Sequence, residues 1–464
     1  MTRALIALGV GTVCPRVLIL TLLIIAAAVY LMVRRVDVRL VLLGAGLAMA
    51  LLARDPLVIP DTFARAMVAG MVAPICAAMG FAMVMTATGC DKHLVHALLK
   101  PIRRVRPLVL PGGVLVAYFI NMAISSQAST AAALGPILVP LLVASGYSPA
   151  VAGAALLLGA SFGGDLLNPG SQDVQAIAGV ANLPAAALSG RIIPASIAGA
   201  LVSTIVFTIL NRRSTTSAAP DGATGDELPA AAATEAATLP SPPVEDFRID
   251  PLRAAIPLVP IALLLLAYGG VPWLRWLITI PAAPDWKPLA NGLPIVRAML
   301  IGCAVAAMVC WRDVARVGRS FFDGMGAAYG TIISLTITAQ CFGAGIAAVG
   351  VSQTLLDLAA RTGSLELLSG GFPWALATLS GSGSGPIVAF GETFLRRLPP
   401  DEHTTLLAAL ACLGGAVGRT MSPVAAVTVY TAGLVGVSPI VLIRKLLPAL
   451  LAGAVVAMLV AVRR

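Results

Sequence analysis

Four residues in the run ACLGGAVGRTMSPVAAVT, Ala411 to Thr428, stand out against an apolar background: Arg419, Thr420, Ser422 and Pro423. One arginine at the centre of a bilayer-spanning helix costs roughly 2.5 to 3.5 kcal/mol on insertion scales, so something must offset it. Pro423 removes a backbone N–H and biases Ser422 away from helix, while Gly414, Gly415 and Gly418 let another group approach closely. The segment therefore reads as a helix broken near Gly-Arg-Thr-Met-Ser-Pro, which at membrane depth survives only where the backbone is packed in protein or lines a cavity. A guanidinium in such a break suits a carboxylate, through paired charge-assisted hydrogen bonds. It could instead snorkel, or pair with an internal acid such as Glu392.

A second break is expected at Ser161-Phe-Gly-Gly-Asp-Leu-Leu-Asn-Pro-Gly-Ser-Gln-Asp173, which places Asp165, Asn168, Pro169, Ser171 and Asp173 inside another apolar run. Asp173 there either caps the resuming helix or carries a proton. Two polar tips face these breaks in the expected arrangement. The first is Ser125-Ser126-Gln-Ala-Ser-Thr130, between two apolar arms; the second is Gly381-Ser382-Gly383-Ser384-Gly-Pro386. An arm of eleven residues is about 16 Å of helix, half of a ~30 Å hydrocarbon core, which suits a re-entrant hairpin; a single kinked span is the rival form. Glu392, just past the second tip, is the better candidate for a group that carries a proton with an anion.

These residues need a framework, and composition defines its class. Of 464 residues, 58% are hydrophobic and 11% charged, in repeated long apolar runs, so the chain reads as an all-α polytopic membrane protein and not as a soluble enzyme. The net charge of +10 is spread over short loops, which reports membrane orientation rather than nucleic-acid binding. Three histidines and seven cysteines without a C-x-x-C pair give no metal site, and no cofactor motif occurs. The first apolar run, Val17 to Val33, could be a leader, but Arg34, Arg35 and Arg39 follow it and mark a cytoplasmic turn, which puts the N-terminus in the periplasm.

Residues 1–213 read as a first repeat, with a cytoplasm-facing hairpin at 107–145 and a broken helix at 149–187. Residues 214–250, rich in Ala, Pro, Thr and Ser, read as a disordered cytoplasmic linker. Residues 251–464 read as a second repeat, with a periplasm-facing hairpin at 368–398 and a broken helix at 403–436. Sliding the chain by 254 places Ser126 on Ser380, Asn168-Pro169 on Ser422-Pro423 and Pro194-Ala195 on Pro448-Ala449. Five crossings per half, an odd number, invert the second copy, for about ten full transmembrane helices and two re-entrant hairpins in all.

The signature Gly381-Ser382-Gly383 with Ala389-Phe390 and Glu392, followed by Gly418-Arg419-Thr420 and Ser422-Pro423-Val424, resembles that of the DcuC-type anaerobic four-carbon dicarboxylate carriers, within the wider ion transporter superfamily. Ser125-Ser126 with Pro169, Ser171 and Asp173 is similar to the family's first-half signature. The resemblance implies proton-coupled transport or exchange of succinate-, fumarate- or malate-like anions across a bacterial inner membrane by a homodimer. It implies a site of Ser125, Ser126, Asn168, Pro169, Ser171, Asp173, Gly381, Ser382, Gly383, Ser384, Arg419, Thr420, Ser422 and Pro423, coupled through Glu392 or Asp173. The partners are then a small carboxylate and the lipid bilayer. A cation/proton antiporter is the other carrier reading, with Asp165, Asp173 and Glu392 as relay and Arg419 as their counter-ion. A membrane enzyme or sensor finds no support, because no nucleophile and base share a depth.

Overall fold

The computed structural model describes residues 15–34, 36–69, 72–101, 108–124, 126–211, 248–268, 293–350 and 365–463. Ser125 and nearly all of the expected linker, 214–247, lie outside the described residues. Every regular element among the described residues is helical.

In chain order the first five helices are α1 (Pro15–Val33), α2 (Val38–Leu52), α3 (Val58–Met67), α4 (Val72–Thr88) and α5 (Cys90–Leu99). The next five are α6 (Val109–Ile124), α7 (Gln127–Ala144), α8 (Pro149–Ser161), α9 (Gln172–Ala181) and α10 (Ala185–Asn211). After residue 248 come α11 (Pro251–Ala255), α12 (Val259–Tyr268), α13 (Leu293–Val309), α14 (Val314–Ala328) and α15 (Ser334–Ala348). The last five are α16 (Leu365–Ser380), α17 (Ser384–Thr393), α18 (Glu402–Met421), α19 (Ala426–Val435) and α20 (Pro439–Arg463).

Six helical segments among the described residues are long and apolar enough to cross a membrane, or seven if the bent pair α3 and α4 forms one span. Five further apolar helices run to only 10–17 residues, short of the ~20 that a crossing takes. The arm before the first tip, Val109–Ile124, has 16 residues and is longer than the eleven expected. Pro111 sits in the first turn of α6, where its missing N–H has no helical partner to lose, so the helix starts at Val109 instead of after Pro-Gly-Gly. The stretch 174–187 is likewise not one helix: α9 stops at Ala181, where Asn182 adopts a left-handed conformation, and α10 begins at Ala185.

What holds the site-bearing helices is close backbone approach. α16 packs along α18, and a Cβ added at Gly414 would run into the carbonyl oxygen of Gly370, while one at Gly418 would run into that of Trp374. α10 and α20 cross in the same manner at Gly199 and Gly453. Small residues at such crossings let helices associate where lipid gives no hydrophobic drive. Gly414→Ala should therefore lower the thermal midpoint of the detergent-purified protein, by an overpacking cost of about 1–3 kcal/mol. Gly371→Ala, one residue from Gly370 with open space around it, should leave the midpoint where it is.

Candidate functional site

Two breaks meet in the interior. The first is residues 162–171, between α8 and α9, with a short 3-10 turn at Asp165–Leu167 and Gly163 at φ +103°. The second, between α18 and α19, is only Ser422-Pro423-Val424-Ala425. It begins later than the sequence suggests. Arg419 and Thr420 belong to the last turn of α18, because nothing before Ser422 obstructs the helix and only the residue preceding a proline is pushed to extended backbone. That places a cation at the negative end of the α18 dipole.

The Arg419 side chain is 6% exposed and reaches two carboxylates of the first break. Its Nη1 donates to Asp173 Oδ2 at 3.0 Å and its Nη2 to Asp165 Oδ2 at 3.3 Å, and both aspartate side chains are fully buried. Arg419 Nε is buried with no hydrogen-bond partner among the described residues. The backbone of Gly383 lies over the guanidinium, where a Cβ would come within 2.9 Å of Nη1.

Each aspartate has further donors. Asp165 Oδ2 accepts from Gln127 Nε2 at 2.6 Å and Oδ1 from Asn121 Nδ2 at 3.4 Å; Asn121 Oδ1 in turn accepts from Thr130 Oγ1 at 3.2 Å. Asp173 Oδ1 accepts from the hydroxyl of Ser384, at the start of α17. Asp173 is not the cap of α9. Ser171 fills that position by accepting from Val174 N, which leaves Asp173, inside the first turn, free to face Arg419.

The other expected residues take supporting places. Asn168 Oδ1 accepts from Gly170 N at 2.8 Å, its Nδ2 donates to Met122 O at 3.3 Å, and the Pro169 carbonyl accepts from Gln175 Nε2 at 2.8 Å, so the first break is held by its own polar groups. Thr420 Oγ1 lies 2.9 Å from Ser161 O and 3.0 Å from Ser161 Oγ, tying α18 to the end of α8. Ser422 Oγ accepts from Val424 N inside the second break, beside Pro423. Gly381, at φ +73°, ends α16 against Val424 and Ala425, and the Ser382 carbonyl accepts from Ser380 Oγ. Ser126 caps α7.

Glu392 stands apart from this cluster. Its carboxylate pairs with Arg396 at 2.6 Å, one turn along, and not with Arg419. It lies eight residues beyond Ser384 on the same stretch of helix, about 12 Å at 1.5 Å per residue. The sequence reading missed Asn121, set Gln127 and Thr130 in the first polar tip without counting them among the binding residues, and placed Asp165 beside Arg419 only in the antiporter reading. One signal could have found the pair: the offset of 254 that aligns the halves carries Asp165 onto Arg419 and Gly164 onto Gly418.

Residues 64–463 match the family model DcuC, described as a C4-dicarboxylate anaerobic carrier. An uncharacterized transporter of Haemophilus influenzae is 42% identical over 130 residues, 28% of this chain and 90% of its own. The anaerobic C4-dicarboxylate transporter DcuC of Escherichia coli K12 is 25% identical over 403 residues, covering 83% of this chain and 78% of its own. Among solved structures, the YdaH transporter of Alcanivorax borkumensis superposes with a TM-score of 0.51 at 17% identity, over 84% of each chain.

Proposed function

Because the chain belongs to the DcuC family, whose members are membrane transporters and not enzymes, we propose that it is a secondary carrier of C4-dicarboxylates such as succinate, fumarate or malate. The observation that carries this is Arg419: a buried guanidinium at the meeting of two helix breaks, with its Nε unpaired among the described residues. A planar fork in a dry site is the side chain best matched to a carboxylate. The site is formed by Arg419, Asp165, Asp173, Gly383, Ser384, Gln127 and Asn121. Ser126, Asn168, Pro169, Ser171, Thr420, Ser422 and Pro423 shape the two breaks around it, with Gly381, Ser382 and Ser125 at the tips.

The carrier is an inverted repeat of about ten crossings in a bacterial inner membrane, with a periplasmic N-terminus, its hairpins entering from opposite faces, and residues 214–250 joining the halves on the cytoplasmic side. It acts as a homodimer. Supporting the repeat, helix contacts recur in pairs that the offset of 254 interchanges: α7 lies on α19 as α9 lies on α17, and α6 lies on α8 as α16 lies on α18. Transport is driven by protons or by a counter-exchanged anion.

One observation favours a second reading, a cation/proton antiporter. Arg419 is held between Asp165 and Asp173, as a counter-ion would be. A thermal-shift screen of the detergent-solubilised protein separates the two. A ligand that binds only the native state adds RT ln(1 + [L]/Kd), ~2.7 kcal/mol at about a hundredfold excess over Kd. Succinate, fumarate or malate should raise the midpoint in a concentration-dependent way. A midpoint that ignores every dicarboxylate and rises with a monovalent cation would reverse the choice.

A further inference from the structure

Most of the side-chain donor atoms that a dicarboxylate would meet here already face the protein's own carboxylates. Gln127 Nε2, Asn121 Nδ2 and Arg419 Nη2 all point at Asp165, while Ser384 Oγ and Arg419 Nη1 point at Asp173. With both aspartates ionised the buried cluster holds one positive and two negative charges, a net of one negative. Among the described residues, the other titratable groups around Asp165 and Asp173 are the Tyr118 phenol and the Cys412 thiol, which are uncharged in ordinary neutral conditions and supply nothing to offset it. A dianion entering this cluster without a compensating charge would bury three net negatives, which a low-dielectric interior does not sustain.

The two aspartates are not equivalent. In arginine, Nε and Nη2 share one edge of the guanidinium plane. Nε is the donor without a partner, and Nη2 is the one held by Asp165, at 3.3 Å, the longer of the two contacts. A substrate carboxylate that takes both donors of that edge displaces Asp165 and leaves Asp173 on Nη1.

We propose that Asp165 is a built-in surrogate for the substrate carboxylate on the Nε/Nη2 edge of Arg419, and that substrate binding transfers one proton from solution onto Asp165. The displaced carboxylate becomes a neutral carboxylic acid, no other bond is made or broken, and release of the anion returns the proton to water as Asp165 takes its place on Nη2 again. Gln127 and Asn121 act as positioning residues. They hold Asp165 on the guanidinium while the site lacks substrate, and they keep partners for it once it is protonated. The proposal rests on the carrier reading above and assigns to Asp165 the coupling role expected at Glu392 or Asp173.

Calorimetric titration of the purified full-length protein with succinate, in two buffers of different ionisation enthalpy at one neutral pH, counts the protons that bind with the anion. About one proton taken up per succinate is expected for the wild type, by the linkage between binding and protonation. Glu392→Gln should take up the same number, and Asp165→Asn should bind succinate with uptake close to zero. Wild-type binding without proton uptake overturns the proposal even if Asp165→Asn proves too unstable to purify. So does unchanged uptake in Asp165→Asn, or its loss in Glu392→Gln. Failure of the folded wild type to bind any C4-dicarboxylate is a different result, which overturns the carrier reading itself.

Discussion

Arg419→Lys should abolish high-affinity dicarboxylate transport while the protein still inserts and purifies. Lysine keeps the charge, but its single ammonium cannot span Asp165 and Asp173 as the Nη1/Nη2 fork does, and it has no counterpart of the unspent Nε. Losing a hydrogen bond to a charged group costs about 1.5–3 kcal/mol, so the apparent affinity should fall on the order of 10-fold or more. Concentration dependence of succinate uptake into proteoliposomes, at matched protein incorporation, reads the change. Wild-type affinity in Arg419→Lys would mean that the guanidinium serves only the two aspartates.

Stability should respond even more sharply to removing the cation altogether. Arg419→Met strands Asp165 and Asp173 together in a fully buried cluster, and breaking a buried pair by deleting one partner costs about 3–5 kcal/mol. Adding Asp165→Asn and Asp173→Asn to that variant removes the stranded charge while keeping acceptor oxygens for Gln127 and Ser384. The thermal midpoint of the triple variant should return most of the way towards wild type, and its transport should not return at all. A single Arg419→Met as stable as wild type would show that the cluster does not depend on its charge balance. Recovery of transport in the triple variant would remove Arg419 from the site.

Those expectations draw on features that the sequence exposes unevenly. The two breaks were legible because proline acts locally: Ser422-Pro423 ends α18 by its own covalent geometry, and Asn168-Pro169 marks the first break, although α8 already stops at Ser161. Arg419 was legible because a charge in an apolar run has to be offset. Its partners were legible only in part: the antiporter reading set Arg419 against Asp165 and Asp173 but added Glu392, because hydrogen bonds that join residues 246 and 254 positions apart leave no local pattern to choose among the acids. Glu392 drew attention by its spacing from the second tip, yet its carboxylate is taken by a basic residue one turn further on, Arg396. Asp173 illustrates the limit of capping arguments. With Ser171 two residues earlier, either side chain could cap α9, and the choice depends on Arg419 and Ser384 drawing the carboxylate the other way.

If a C4-dicarboxylate crosses the membrane through this site, the protein should carry out counterflow. Proteoliposomes loaded with unlabelled succinate are diluted into a trace of radiolabelled succinate, with no ion gradient imposed. The account predicts transient accumulation of label, inhibited by external fumarate and malate and absent from Arg419→Ala. Proteoliposomes that show no counterflow of any C4-dicarboxylate, yet exchange a cation for protons, would contradict it.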